Sequence, residues 1–338
     1  MTGIMNILSQ ISVLVSQVTE LSGIKEIESR PKTQQLETIF EGAVKTAEKN
    51  QQVARNAQQT AAESTELFSN IDYMFLAAGV CVLLTWLVYQ FVAVKPEQRL
   101  LKASRPREIA IHPLLMIPGF IGFFLIGSIP LVIFALIHGK NFDTYSIAGL
   151  STTFAGQLLQ VGVMLLLAFA TFKGKLTEFG LSTEKIIPDA IRGILSYLAF
   201  MPLVMGMLLL TQLFFHLANT YMGTDLTMQV HSAIKNVENA RLAEKILIAL
   251  TVIIGAPFAE EFFFRGFLQS SLRKYMSPWV AIFITSALFA MVHPWTHWPA
   301  LWVLSLGFGY CYEKTGRLWP NIVMHLAFNT VSIVTAML

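Results

Sequence analysis

The stretch APFAEEFFFR, residues 256–265, holds Glu260, Glu261 and Arg265 inside an apolar run. Charge is costly in such a setting, and an ionisable residue within a membrane-length segment is a functional-site hypothesis by default. Glu261 and Arg265 are four apart, in the order that favours an ion pair on one helix face. Glu260 is turned by about 100° around the helix and cannot share that arginine equally. A second carboxylate without its own counter-charge suits proton transfer as general base or acid. Further along the chain, SALFAMVHP carries His293, and MHLAFN carries His325 and Asn329. The last two are four apart and share a face. An imidazole and a carboxamide on one face can donate two hydrogen bonds to a single oxygen, as an oxyanion requires. Each group also has a plainer reading: a neutralising ion pair, a protonated carboxyl between helices, an interfacial histidine, a polar pair gluing helices. His297 lies among Trp295, Trp298 and Pro299, reads as part of an interfacial aromatic belt, and is left outside the site.

A carboxylate and a histidine can together deprotonate a water, while a second histidine and an asparagine hold the oxygen of a tetrahedral intermediate. That set suffices for amide hydrolysis without a nucleophilic side chain. There is no GxSxG elbow and no HExxH, and Ser286, two turns before His293, has no evident activating partner. Glu260, His293 and His325 could instead hold zinc with an open fourth position. The lack of an HExxH pair argues mildly against zinc, but spacing alone leaves both chemistries open.

The elements that must position these groups follow from composition. The chain of 338 residues is 54% hydrophobic and 13% charged, with mean hydropathy +0.58. A soluble domain carries about 25% charged residues, so the expected fold is an all-α polytopic transmembrane bundle. Apolar segments fall near 74–94, 113–137, 154–172, 193–217, 246–268, 279–297, 299–312 and 319–337. About eight spans result, each crossing or nearly crossing a core of about 30 Å. Pro118, Pro130 and Pro202 lie inside spans, where neighbouring helices can satisfy freed carbonyls. Cys81 and Cys311 sit in apolar runs and read as small buried hydrophobes.

Lys and Arg alternate in density between successive loops. Fourteen lie in 95–112, 173–192, 265–278 and 314–317, against Lys140, Lys235, Arg241 and Lys245 in the opposite loops. This places the basic set in the cytoplasm and the protein in the cell membrane; it also argues against nucleic-acid binding. Depths counted from the basic ends at about 1.5 Å per residue put Glu260 and His293 at about 20 and 22 Å. His325 and Asn329 come to about 12 and 18 Å, so helices of different direction converge on one polar level.

Residues 1–73 differ. Ile4, Leu8, Ile11, Val15 and Val18 mark an amphipathic face without a basic signal-peptide start. The Gln/Ala/Glu/Lys-rich 24–70 reads as a polar helical stalk, and residues 1–70 are a candidate surface for a helix partner. The expected organisation is thus a helical extension, 1–73, followed by a bundle, 74–338. An extension held outside without a signal peptide strains the eight-span topology, so a seven-span alternative with the tail inside stays open.

EEFFFR (260–265) resembles the EExxxR motif of the CPBP family, which includes type II CAAX prenyl endopeptidases and Abi bacteriocin-immunity proteins. Phe289 to His293 is similar to its FxxxH motif, and His325 to Asn329 to its HxxxN motif. LGFGYCYEKTGRLWPNIVMH also resembles the run between the last two motifs. The likeness covers about 240–335, a candidate catalytic core, and nothing carries over to the first half of the chain. It implies an intramembrane protease in a helical bundle. Glu260 and His293 would activate water, His325 and Asn329 would form the oxyanion hole, and Glu261 and Arg265 would support the site. Family members are often labelled metalloproteases. The division into base and oxyanion roles favours a metal-free route, with zinc on Glu260, His293 and His325 as the alternative.

The leading expectation is an endopeptidase acting on a peptide or membrane-protein substrate within the lipid bilayer. The alternatives are a non-catalytic immunity or scaffold protein binding peptides in the same cavity, and, less favoured, a proton-coupled transporter.

Overall fold

The computed structural model describes residues 76–89, 92, 113–139, 143–228 and 240–337. The amphipathic extension expected over 1–73 and the basic 95–112 loop lie outside the described residues. Among those described, eight helices and no strand are present. They are α1 (Leu76–Tyr89), α2 (Pro113–His138), α3 (Ile147–Thr171), α4 (Ile186–Met222), α5 (Leu242–Leu272), α6 (Pro278–Met291), α7 (Trp298–Thr315) and α8 (Trp319–Met337).

Local sequence explains most of the boundaries. The Ser146 hydroxyl accepts from the Gly149 amide at 3.2 Å and caps α3. Pro278 and Pro299 stand in the first turns of α6 and α7, where a missing N–H costs nothing. Gly316 ends α7 at φ 61°, a left-handed conformation that would strain a side chain. Pro118, Pro130 and Pro202 do lie within α2 and α4.

Among the described residues, four helices are long and apolar enough to cross a bilayer: Met116–His138, Ile147–Thr171, Ile186–Met222 and Leu242–Leu272. Their outward faces are apolar, with Leu136 80%, Leu166 70% and Ile187 71% exposed. A soluble fold would not present such surfaces to water. The protein is an all-α integral membrane protein. The span expected over 279–297 does not run through: α6 stops at Met291 after 14 residues. Pro294 disfavours helical backbone before it, and a short turn, Trp295–His297, leads into α7.

The core is a phenylalanine cluster wrapped around α5. Phe262, Phe263, Phe264 and Phe267 of α5 pack with Phe123, Phe179, Phe289 and Phe308. α6 pairs with α7, α4 packs on both α7 and α8, and α2 packs on α3. Polar staples close the bundle at the end carrying most of the basic residues. Asp189, fully buried, pairs with Arg317 and with Arg192. Glu313 holds Arg273 at 3.1 Å and accepts from Gln269 at 3.1 Å.

Candidate active site

α5 is not a uniform helix. Two π-helical stretches, Leu250–Gly255 and Phe262–Gln269, flank the α-helical Ala256–Glu261. The first has a sequence cause. Pro257 has no N–H and its ring crowds the preceding turn, and a widened turn is one way to absorb this. The Ala256 amide then donates to the Thr251 carbonyl, five residues back. The Val252 carbonyl loses that donor, and the next amide along would be proline's. Asn329 Nδ2 of α8 fills the vacancy, donating to the Val252 carbonyl at 2.7 Å. The asparagine thus ties α8 to the turn that leads into Glu260.

Glu261 and Arg265 form the expected pair, 3.2 Å apart, and both are 0% exposed. Arg265 is held from several sides, with only Nε left without a hydrogen-bond partner among the described residues. Its guanidinium carbon lies 4.9 Å from the ring centroids of both Phe289 and Phe308. It also donates to the Ser305 hydroxyl at 2.6 Å and to the Ser305 carbonyl at 3.3 Å. Counted by sequence among the basic loop residues, Arg265 is in fact buried inside α5 and takes no part in orientation.

His325 connects the pair to the cavity. Its Nδ1 lies 3.0 Å from Glu261 Oε1. Glu261, paired with Arg265, is a carboxylate and only accepts, so His325 Nδ1–H is the donor. The other ring nitrogen, Nε2, then stands 3.8 Å from Glu260 Oε2. Phe308 stacks on the imidazole at 4.9 Å and fixes its plane. Glu260 has a 22% exposed side chain, and its Oε2 has no hydrogen-bond partner among the described residues. His293 Nδ1 donates to the Phe289 carbonyl at 2.8 Å, which leaves Nε2 as the ring nitrogen free to accept. The Trp298 indole N–H donates to the His293 carbonyl at 2.8 Å and pins the turn after α6.

Glu260, His293, His325 and Asn329 all line one cavity of about 470 Å³. Glu261 and Arg265 lie behind it, as support rather than lining. The structure therefore brings all six sequence-selected residues into one connected region. Among the described residues no three His, Cys, Asp or Glu side chains stand close enough to share a metal ion.

The roles of four residues are not evident from the sequence. His297, set aside as interfacial, also lines the cavity, as do Gln157 of α3 and Thr251 of α5. Gln157 carries a signal, an amide inside an apolar span, but a neutral amide is cheap enough there to pass for helix packing. Phe289 stands in the sequence only as the first letter of FxxxH, whereas it packs on Arg265 and accepts the His293 hydrogen bond.

Comparison with known proteins matches the part of the chain that carries these residues. Residues 242–331 match the family model described as type II CAAX prenyl endopeptidase Rce1-like. A curated relative, "Putative membrane peptidase YdiL" of Bacillus subtilis (strain 168), is 29% identical over 93 residues. That match covers 27% of this chain and 38% of the relative. No solved structure matches the chain. The CPBP resemblance read from the three motifs is borne out over α5–α8, and α1–α4 lie outside the matched region.

Proposed function

We propose that the protein is an intramembrane endopeptidase that hydrolyses a peptide bond with water activated by Glu260 and His293. The observation that carries this reading is the carboxylate of Glu260, unpartnered at Oε2 and facing a cavity shared with two histidines and an asparagine. Glu260 takes the proton of an attacking water, which His293 Nε2 orients by accepting its other hydrogen, and Glu260 then returns the proton to the leaving amine nitrogen as the C–N bond breaks. His325 and Asn329 hold the developing oxyanion. Asn329 spends one amide hydrogen on Val252 and keeps a second. A neutral His325 spends its single N–H on Glu261, so its oxyanion role requires the imidazolium, with Glu261 and Glu260 on either side. Glu261 and Arg265 fix the position of that ring.

The route is metal-free in this proposal, consistent with the way the donors are distributed. A peptide or membrane-protein substrate reaching the cavity through lipid follows from the same reading. The name of the bacterial relative and the family description point to the same class of reaction.

The test is cleavage of a membrane-peptide library by purified protein in detergent, with Glu260→Gln alongside and a strong chelator in parallel. Cleavage by the wild type that persists with chelator and vanishes in Glu260→Gln is expected. Loss on chelation, restored by zinc, would overturn the metal-free route. Undiminished cleavage by Glu260→Gln would overturn the assignment of the base.

A further inference from the structure

The cavity contains polar groups that the hydrolytic machinery does not use. Gln157 Oε1 and Thr251 Oγ1 are buried and have no hydrogen-bond partner among the described residues. Both residues line the same cavity as Glu260, and Thr251 is only 7% exposed. Their neighbours behave differently. Thr153, on the same wall, donates to the Gly149 carbonyl of its own helix at 3.0 Å. Ser332, across the cavity, donates to Phe328 at 2.9 Å. Gln160, one turn beyond Gln157, is fully engaged in helix packing through the Phe123 carbonyl at 2.9 Å. Buried polar groups are normally satisfied, so two left open on one cavity wall call for a partner that the folded chain does not supply.

Their placement is built in. A Cβ on Gly255 would lie 1.9 Å from Gln157 Oε1, so the glycine of the first π turn makes room for the carboxamide. The same turn carries Thr251. α3 packs directly against Ala256–Glu261, which brings the glutamine wall to the segment bearing the base.

A carbonyl oxygen that accepts and a hydroxyl that donates are complementary to the N–H and C=O of a peptide unit. In an apolar cavity each backbone group of a substrate needs such a partner. A helical substrate already satisfies its own backbone, and an acyl chain has no polar groups to offer. We propose that Gln157 and Thr251 form a backbone clamp selecting an extended peptide segment next to Glu260. Gln157 Oε1 accepts a substrate N–H, and Thr251 Oγ1 donates to a substrate C=O. The proposal rests on the peptidase reading but can fail separately from it.

The test measures binding without cleavage. A fluorescein-labelled Ala/Leu decapeptide is titrated by anisotropy into full-length Glu260→Gln protein in detergent, then into the same protein carrying Gln157→Leu, Thr251→Val or Thr251→Ser. A set of decapeptides with one amide at a time replaced by an ester removes each N–H in turn. The expected result is a loss of affinity of about five- to tenfold for Gln157→Leu and for Thr251→Val, with Thr251→Ser near the parent. At one position the ester should cost the parent the same factor and cost Gln157→Leu nothing more. Equal affinities in all variants, including no binding in any, would overturn the clamp. So would ester and Gln157→Leu losses that multiply at every position, since the open groups would then be water sites only. Cleavage of the library by the wild type, measured separately, decides the peptidase reading on its own.

Discussion

Arg265→Met removes the cation from the most buried ion pair in the bundle and keeps much of its volume. The contacts set the size of the effect. Glu261 is 0% exposed, and its Oε2 has no partner even with the arginine present. Breaking such a pair costs about 3–5 kcal/mol, because a buried charge is left behind. The reverse change, Glu261→Gln, should cost less. Arg265 would keep both Ser305 bonds and its two aromatic faces, so the loss is that of one charged hydrogen bond, about 1.5–3 kcal/mol. The double variant leaves no unpaired charge and should fall short of the sum of the singles by about 2 kcal/mol or more. Cys311 is buried while Cys81 is exposed, so a thiol-reactive dye in a Cys81→Ser background reports unfolding through Cys311. At roughly 2–4 °C per kcal/mol, the scale for a domain of 150–250 residues, Arg265→Met should lower the midpoint by about 6–20 °C. A midpoint equal to that of the parent, or a double variant at the plain sum, would refute the charge-compensation reasoning.

The same geometry sets other outcomes. Glu260→Gln should abolish turnover, by a factor on the order of 10²–10⁴, with a nearly unchanged midpoint in the dye assay, because Oε2 makes no hydrogen bond to lose; a large fall in midpoint would make Glu260 structural. Asn329→Ala should destabilise by about 1–3 kcal/mol, the cost of an orphaned buried carbonyl at Val252. Adding Pro257→Ala supplies a backbone N–H close to that carbonyl and should recover part of the loss; a double variant no more stable than Asn329→Ala would count against the carbonyl-capping account. Ser305→Ala should cost about 1–2 kcal/mol through its 2.6 Å bond to Arg265, seen as a lower midpoint, and no change would mean that the aromatic faces alone hold the guanidinium.

The site was more legible than the bundle because its rules are local. Glu261 with Arg265, and His325 with Asn329, follow from i,i+4 spacing, and expensive intramembrane charge marked the segments worth reading. Depth counting from the basic ends then brought groups on separate helices to one level. The parts that stayed hidden depend on contacts across distant sequence. Nothing local shows that His325 turns Nδ1 to Glu261 rather than to water, 64 residues away. Nothing local shows that Asn329 serves a carbonyl 77 residues back. The π turns were likewise invisible to a 3.6-residue template, although Gly255 and Pro257 marked the place. The span expected over 279–297 overruns the end of α6 at Met291 for a simpler reason: apolar character continues to Trp295 and Trp298 after helical geometry has stopped before Pro294.

The contacts around His325 also decide what its ring can do. Its Nδ1–H belongs to Glu261, and Phe308 stacks on the ring at 4.9 Å, so Nε2 is turned toward Glu260 Oε2 at 3.8 Å. That separation is too long for a direct hydrogen bond, and His325 lines the same cavity as Asn329. A donor on Nε2 beside the second Asn329 amide hydrogen would complete the pair that the proposed oxyanion needs. His325→Phe keeps a ring to stack on Phe308 and removes both nitrogens, so it should lower turnover by a factor on the order of 10²–10³, the scale for one oxyanion donor. Turnover of His325→Phe equal to that of the wild type would show that the ring does not donate to the oxyanion.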